Sequence, residues 1–245
     1  MIDHSSKLHI GTSGWNYDHW QGPFYPEDTP QDDWLSFYQR RFNSVEINNT
    51  FYGLPEKAAF QAWKEEAPPE FRYAVKANRY ITHMKKLKEP QDTLERFLSA
   101  VSELGDTLGP ILFQLPPNWG YNHHRLADFL EALPAGQRYT FELRAPDWIN
   151  ARALDLLAGH QAAFCIYDFD GRQSPKEVTP DFVYLRLHGP REAYQGKYSL
   201  QALAGWAGAI SSWLGKGKDV YCYFDNDQAG YAAENAGQLQ EMFSN

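Results

Sequence analysis

This 245-residue chain is poor in cysteine, with two, and in methionine, with three. Two thiols cannot build a disulfide framework. Cys165 and Cys222 both sit inside apolar runs, as buried thiols of a reducing cytosol do. No run of about 18 apolar residues occurs, which excludes a membrane-spanning helix. The opening Met1-Ile2-Asp3-His4 lacks a basic segment followed by an apolar one, so no secretory signal is read and a cytoplasmic location is expected. Positive charge is in deficit: 23 Lys and Arg against 31 Asp and Glu leave a net charge of −8. That deficit argues against sequence-independent binding of duplex nucleic acid. Also missing are G-x-x-x-x-G-K-[ST], H-E-x-x-H, G-x-S-x-G and C-x-x-C, and with them the chemistries those motifs carry. What is abundant is aromatic residues, at 16%, in a chain that is 43% hydrophobic and 22% charged. Such a composition belongs to a globular chain with a substantial core.

Short apolar runs bounded by Gly, Pro, Asn or Asp recur along the chain, and each reads as a strand. They are Leu8–Gly11, Ser44–Ile47, Tyr73–Lys76, Ile111–Leu115, Tyr139–Leu143, Ala163–Tyr167, Phe182–Leu187 and Val220–Phe224. Between them, apolar residues fall at helical spacing, as in Leu94, Phe97, Leu98, Val101 and in Leu126, Phe129, Leu130, Leu133. Gln91-Asp92-Thr93 reads as the cap and first turn of one helix, and Gly215 as the C-cap of the helix through Leu203, Ala207, Ile210 and Leu214. Eight strands alternating with helices predict an α/β protein whose strands run parallel. At this length a single (β/α)8 TIM barrel over residues 1–245, with a short N-terminal tail 1–7, fits best. The rival doubly wound sheet normally carries G-x-G-x-x-G after its first strand, and Gly11-Thr12-Ser13-Gly14 does not match. Asp168 to Asp181 contains Gly171, Pro175 and Pro180 without helical period, so the sixth β/α unit is expected to lack a full helix.

Parallel barrel strands should be apolar on both faces. Four of these are not: Ser44-Glu46-Asn48, Ala74-Lys76-Asn78, Thr140-Glu142-Arg144 and Tyr184-Arg186-His188 place polar residues two apart, hence on one face. They lie towards the C-terminal strand ends, where this fold carries its chemistry. Glu46, Glu142 and His188 are the expected acid and base groups. Lys76, Arg144 and Arg186 are the expected anion-binding cations. Thr12, Ser13 and Trp15 at the first strand exit, a candidate anion cradle, join Asn48, Asn78, Gln114 and Asn226 in the expected substrate-binding set. Aromatics crowd the same exits: Trp15, Tyr17, Phe51, Tyr52, Tyr80, Trp119, Trp148, Tyr194 and Tyr198 suit loop packing or stacking on a sugar or base. A basic run, Lys76, Arg79, His83, Lys85, Lys86 and Lys88, marks the third exit.

The expected activity is therefore that of a cofactor-independent enzyme on an anionic, phosphate-bearing sugar or nucleotide-like substrate. Two readings compete. One is a divalent-metal phosphodiesterase or nuclease with Glu142, Asp168, His188 and Asp225 or Asp227 as hard ligands, which Arg144 and Arg186 would disfavour by repulsion. The other is a non-catalytic module that holds a nucleic-acid fragment or a partner. For Arg186 two outcomes follow. As an excess cation its truncation is neutral or mildly stabilising; as the buried partner of Glu142 its loss costs about 3–5 kcal/mol.

Several of these segments together resemble the YecE-like family, domain of unknown function number 72. They are Gly11-Thr12-Ser13-Gly14-Trp15, Ser44-Val45-Glu46-Ile47-Asn48, Ala74-Val75-Lys76-Ala77-Asn78, Phe113-Gln114-Leu115-Pro116-Pro117, Phe141-Glu142-Leu143-Arg144, Tyr184-Leu185-Arg186-Leu187-His188-Gly189 and Tyr223-Phe224-Asp225-Asn226-Asp227. The resemblance runs from about Leu8 to Phe243 and implies a TIM barrel without an established activity. One departure is Asp225, where Asn is expected.

Overall fold

Strands form where the sequence concentrates β-branched and aromatic residues, and helices where its apolar residues recur at 3–4-residue spacing. A computed structural model describes residues 7–244. In chain order the elements are β1 (Leu8–Thr12), α1 (Trp34–Gln39), β2 (Ser44–Ile47), α2 (Lys57–Glu66), β3 (Arg72–Lys76), α3 (Pro90–Val101), β4 (Leu108–Leu115), α4 (His123–Glu131), β5 (Tyr139–Leu143), α5 (Ala151–Gly159), β6 (Ala163–Phe169), β7 (Arg172–Gln173), β8 (Phe182–Leu187), α6 (Leu200–Leu214), β9 (Asp219–Phe224) and α7 (Tyr231–Glu241). All eight expected strands are present, and the fold is of the TIM-barrel α/β class. Residues 1–6 of the expected tail lie outside the described residues. No helix among the described residues is long and apolar enough to cross a membrane.

The sixth unit departs from β/α regularity as its Gly and Pro content requires. No helix joins β6 to β8; β7 folds back antiparallel on β6, pairing Asp168 with Gln173 and Phe169 with Arg172. Two helix ends differ from expectation. The helix α3 starts at Pro90, whose missing N–H costs nothing at a first turn, and its cap is Glu89 in a left-handed conformation. Gly215 caps α6 with right-handed geometry, and the left-handed residue is Gly217.

Cα packing divides the chain into two compact units, with the boundaries inside β2 and β6. The first comprises the chain to Glu46, Ile166–Lys176 and everything from Asp181 onward. In it β1 runs parallel to β9 and β9 to β8, with Gly11 opposite Tyr223 and Arg186 opposite Tyr223. Its core is aromatic: Tyr25 stacks on Trp34 at 4.7 Å, and Trp20, Tyr25 and Tyr38 are wholly buried. The second unit holds Ile47–Cys165 and Glu177–Pro180. There β3, β4 and β5 run parallel, with Lys76 opposite Leu112 and Gln114 opposite Glu142. Phe113, Phe129 and Phe141 pack as a triad between strand and helix. Cys165 and Cys222 are buried free thiols, as expected.

The closest backbone approach in the first unit is at Gly11, where a Cβ would lie 1.9 Å from the Ser44 carbonyl oxygen and 2.8 Å from the Tyr38 hydroxyl. Because both neighbours are held by strand and core, Gly11→Ala is expected to cost about 3 kcal/mol or more. Gly208 in α6 has nothing within 4 Å of its Cβ position. Gly208→Ala should therefore stabilise by about 0.5–1 kcal/mol through helix propensity. Urea midpoints of the two variants check both signs.

Candidate functional site

In the first unit the chemistry starts from β1 meeting β2. The glycine at position 11 lets the strands close, Ser13 bridges to Glu46, and the Gly14 amide donates to the Glu46 carbonyl at 2.8 Å. This seats the Ser13 hydroxyl 2.5 Å from Glu46 Oε1. The rest of the exit is equally committed. The Thr12 amide donates to Tyr38 Oη, the Thr12 hydroxyl donates to the Gly14 carbonyl, and the Tyr25 hydroxyl donates to the Trp15 carbonyl. The expected anion cradle at Thr12, Ser13 and Trp15 thus spends these donors inside the fold.

Glu46 and Arg186 are both fully buried. Glu46 accepts from Ser13, from the Tyr184 hydroxyl at 2.6 Å, and from Arg186 Nε at 3.0 Å and Nη2 at 2.7 Å. Arg186 Nη2 also reaches Asp225 Oδ2 at 3.0 Å, and the same oxygen lies 3.0 Å from His188 Nδ1. A guanidinium only donates, so His188 Nε2, 3.3 Å from Arg186 Nη1, is the acceptor and Nδ1 carries the proton to Asp225. Phe169 and Tyr194 pack edge-on against the buried imidazole. Below, burial and the Glu46 charge hold the Tyr184 hydroxyl protonated far above its ordinary range.

This arrangement corrects the expectation of Arg186 as an excess cation: two carboxylates, Glu46 and Asp225, pair with it. Asn226 is likewise a clamp, its amide donating to the Gly196 carbonyl at 2.8 Å and to Asn235 Oδ1 at 3.0 Å. Asp168 accepts from Gln173 at 3.2 Å, and burial raises its pKa. Among the described residues no group of three or more His, Cys, Asp or Glu is placed to hold a metal ion. The alternative ligands Asp225 and His188 are instead joined to each other and to Arg186.

Asp227 enters the expectations only as an alternative to Asp225 in the metal reading. Burial, and after it the neighbouring Asp225 charge, push its pKa up to about 6, against the opposing pull of Trp20 and His19. The Trp20 indole donates to it at 2.5 Å and His19 Nε2 lies 3.1 Å away. Its signal in the sequence was the alternation Asp225-Asn226-Asp227 just past a strand end, which places both carboxylates on one side of the chain.

The second unit carries a different cluster at the ends of β3, β4 and β5. Glu142, fully buried, accepts from Gln114 Nε2 at 3.0 Å and pairs with Arg144 Nε. Lys76, 9% exposed, sets its ammonium 4.3 Å from the centroid of the Phe51 ring. His83 packs edge-on to the same ring at 5.0 Å. Burial first, then the charges of Lys76, Arg79 and Arg144, lower the His83 pKa to about 4 against the opposing effect of Glu142. Asn78 ties the β2 and β3 exits together by donating to the Thr50 carbonyl at 2.9 Å. Asn48 presents a buried Oδ1 with no hydrogen-bond partner.

Of the expected residues, then, Glu46, His188, Arg186, Ser13 and Thr12 gather in the first unit, and Glu142, Lys76, Arg144, Gln114 and Asn78 in the second. The exit aromatics divide by role: Trp148 and Tyr198 are buried anchors, whereas Tyr52, Tyr80 and Tyr194 are 77%, 45% and 43% exposed.

The chain matches the family model described as protein of unknown function DUF72 over residues 9–245. It is 30% identical to the UPF0759 protein YecE of Escherichia coli K12 over 142 residues, 58% of this chain and half the length of that protein. It is 25% identical to the UPF0759 protein YunF of Bacillus subtilis, covering 96% of this chain and 94% of that one. The crystal structure of a DUF72 family protein from Thermotoga maritima superposes with a TM-score of 0.86 at 26% identity, covering 98% of this chain and all of that one.

Two outcomes follow for the first unit. Arg186→Met leaves Glu46 and Asp225 buried without their cation and should cost about 3–5 kcal/mol, read from urea denaturation. Asp227 holds its proton more tightly when folded, so its contribution to stability is present below about pH 4 and is lost as pH rises through about 6. Asp227→Asn should remove that contribution, so the change in melting temperature from about pH 4 to 6 should be more positive in the variant than in the wild type.

Proposed function

We propose that this chain, which belongs to the DUF72 family, is a cofactor-independent enzyme that binds a small phosphate-bearing substrate at Lys76 and Arg144. The observation that carries the reading is the pair of nearly buried cations: Lys76, 9% exposed, lies 4.3 Å from the centroid of the Phe51 ring on which His83 also packs, and Arg144 pairs with the buried Glu142. A charged cluster that is nearly buried holds an incoming anion more strongly than one in bulk water, because the effective dielectric is lower. Arg144 supplies a planar fork suited to a phosphate, and Lys76 a point charge. Glu142, oriented by Gln114 and Arg144, is the carboxylate beside that anion and the group assigned to proton transfer. Arg186 and Glu46 leave the substrate-binding and catalytic sets, because their hydrogen bonds build the other cluster.

Sulfate tests the reading, since it mimics phosphate without titrating in the relevant range. Its charge offsets the cations around His83, so binding should raise the His83 pKa from about 4 towards the ordinary value. By linkage, sulfate affinity should then increase as pH falls from about 6.5 to 4. Histidine NMR titrations with and without sulfate measure both effects. Lys76→Met should weaken sulfate binding about tenfold or more, the worth of one charge-assisted hydrogen bond. Glu142→Gln, which removes a like charge, should strengthen it. The same Gln variant should lose about a hundredfold or more of any phosphoester turnover shown by the wild type. An unmoved His83 titration and unchanged affinity in Lys76→Met would defeat the proposal.

A further inference from the structure

Within the unit that holds the cationic cluster lies a cavity of about 450 Å3 lined by Leu54, Asn78, Tyr80, Ile81, Asp92, Thr93, Arg96 and Phe97. We infer that this cavity takes the base of a free nucleotide whose phosphate sits on Lys76 and Arg144; the inference rests on the anion site proposed above.

The volume falls in the range of small-molecule sites. Its walls are mixed in the way a planar heterocycle needs. Leu54, Ile81 and Phe97 supply apolar surface, and the half-exposed Tyr80 supplies a ring face for stacking. Asp92 and Arg96, one turn apart on α3, offer an acceptor and a donor for the polar edge of a base. Among the described residues neither side chain has a hydrogen-bond or ion-pair partner.

The backbone joins this cavity to the cations through one strand exit and one turn. Asn78, on the cavity wall, follows Lys76 by two residues, and the Thr50 hydroxyl donates to the Lys76 carbonyl at 2.6 Å. A single π-helical turn, Tyr80–Met84, then presents Tyr80 and Ile81 to the cavity and His83 to the cations. π-Turns are rare and recur at functional sites. This one is followed by three non-glycine residues with left-handed backbone, Lys86 (φ 51°), Leu87 (φ 62°) and Glu89 (φ 49°). Such strain persists only where surrounding structure fixes it. Leu87, fully buried, donates its amide to the Ile81 carbonyl at 3.0 Å, and Arg125 holds the Lys86 carbonyl at 3.1 Å.

Two features favour a free nucleotide over a strand. The net charge of −8 repels an extended polyanion, and the cavity is the size of one base-bearing ligand.

Calorimetric titration of the intact chain with inorganic phosphate, ribose 5-phosphate and the four common nucleoside 5′-monophosphates tests the assignment. The tightest nucleotide should bind about tenfold or more tighter than ribose 5-phosphate, the usual return of one stacked base. Tyr80→Ala, at an exposed position, should bring that nucleotide to within about twofold of ribose 5-phosphate while ribose 5-phosphate itself is unchanged. Equal affinities for nucleotide and ribose 5-phosphate, or an advantage that survives Tyr80→Ala, would overturn the base site and leave the anion site standing. Failure of every phosphate to bind would overturn the anion site and this inference with it. A single-stranded decanucleotide that binds more tightly than the mononucleotide, with steep salt dependence, would overturn the choice of a free nucleotide.

Discussion

A guanidinium with no exposure to water must be neutralised where it lies, and this requirement organises the first unit around Arg186. Its partners come from separate segments: Glu46 from β2, Asp225 from the exit of β9, Ser13 from the exit of β1 and His188 from the exit of its own strand. Each partner is itself completed by a further donor, as Tyr184 completes Glu46. Removing any one strand from register would strand a charge in the core. A one-residue slip of β8 against β9 would turn Arg186 to the opposite face of the sheet. The pair therefore contributes specificity of strand pairing as much as net stability, which a buried ion pair supplies poorly.

The second unit handles charge differently. Glu142 is shielded by Gln114 and Arg144, yet Lys76 and Arg79 add positive potential that its single charge does not cancel at His83. Lys76 is stabilised partly by the face of Phe51, whose quadrupole attracts a cation without neutralising it. Lys76 thus packs its ammonium over a ring face, whereas Arg186 is gripped by the carboxylates of Glu46 and Asp225.

The architecture was legible in the sequence because strand and helix periods are local. The eight strands, the missing sixth helix and the polar residues two apart at strand ends all follow from such periods. The pairing of those polar residues was not legible. Glu46, Lys76, Glu142, Arg144, Arg186 and His188 look alike as strand-end polar residues, and only three-dimensional neighbours tell Glu46 with Arg186 from Glu142 with Arg144. The same limit hid the spent hydroxyls of Thr12 and Ser13. Tyr38, which accepts from the Thr12 amide, lies 26 residues away, and Glu46 lies 33 residues from Ser13. Asp227 stands out in the sequence only as an alternative metal ligand, because its raised pKa arises from burial, beside a Trp20 contact across 207 residues.

Asp227 and His83 shift their proton affinities in opposite directions on folding. Between about pH 4 and 6 the folded chain keeps a proton at Asp227 that the unfolded chain has lost. Over nearly the same window it lacks a proton at His83 that the unfolded chain carries. The first effect makes stability fall as pH rises and the second makes it rise, so the two oppose one another over this window while the distribution of charge changes.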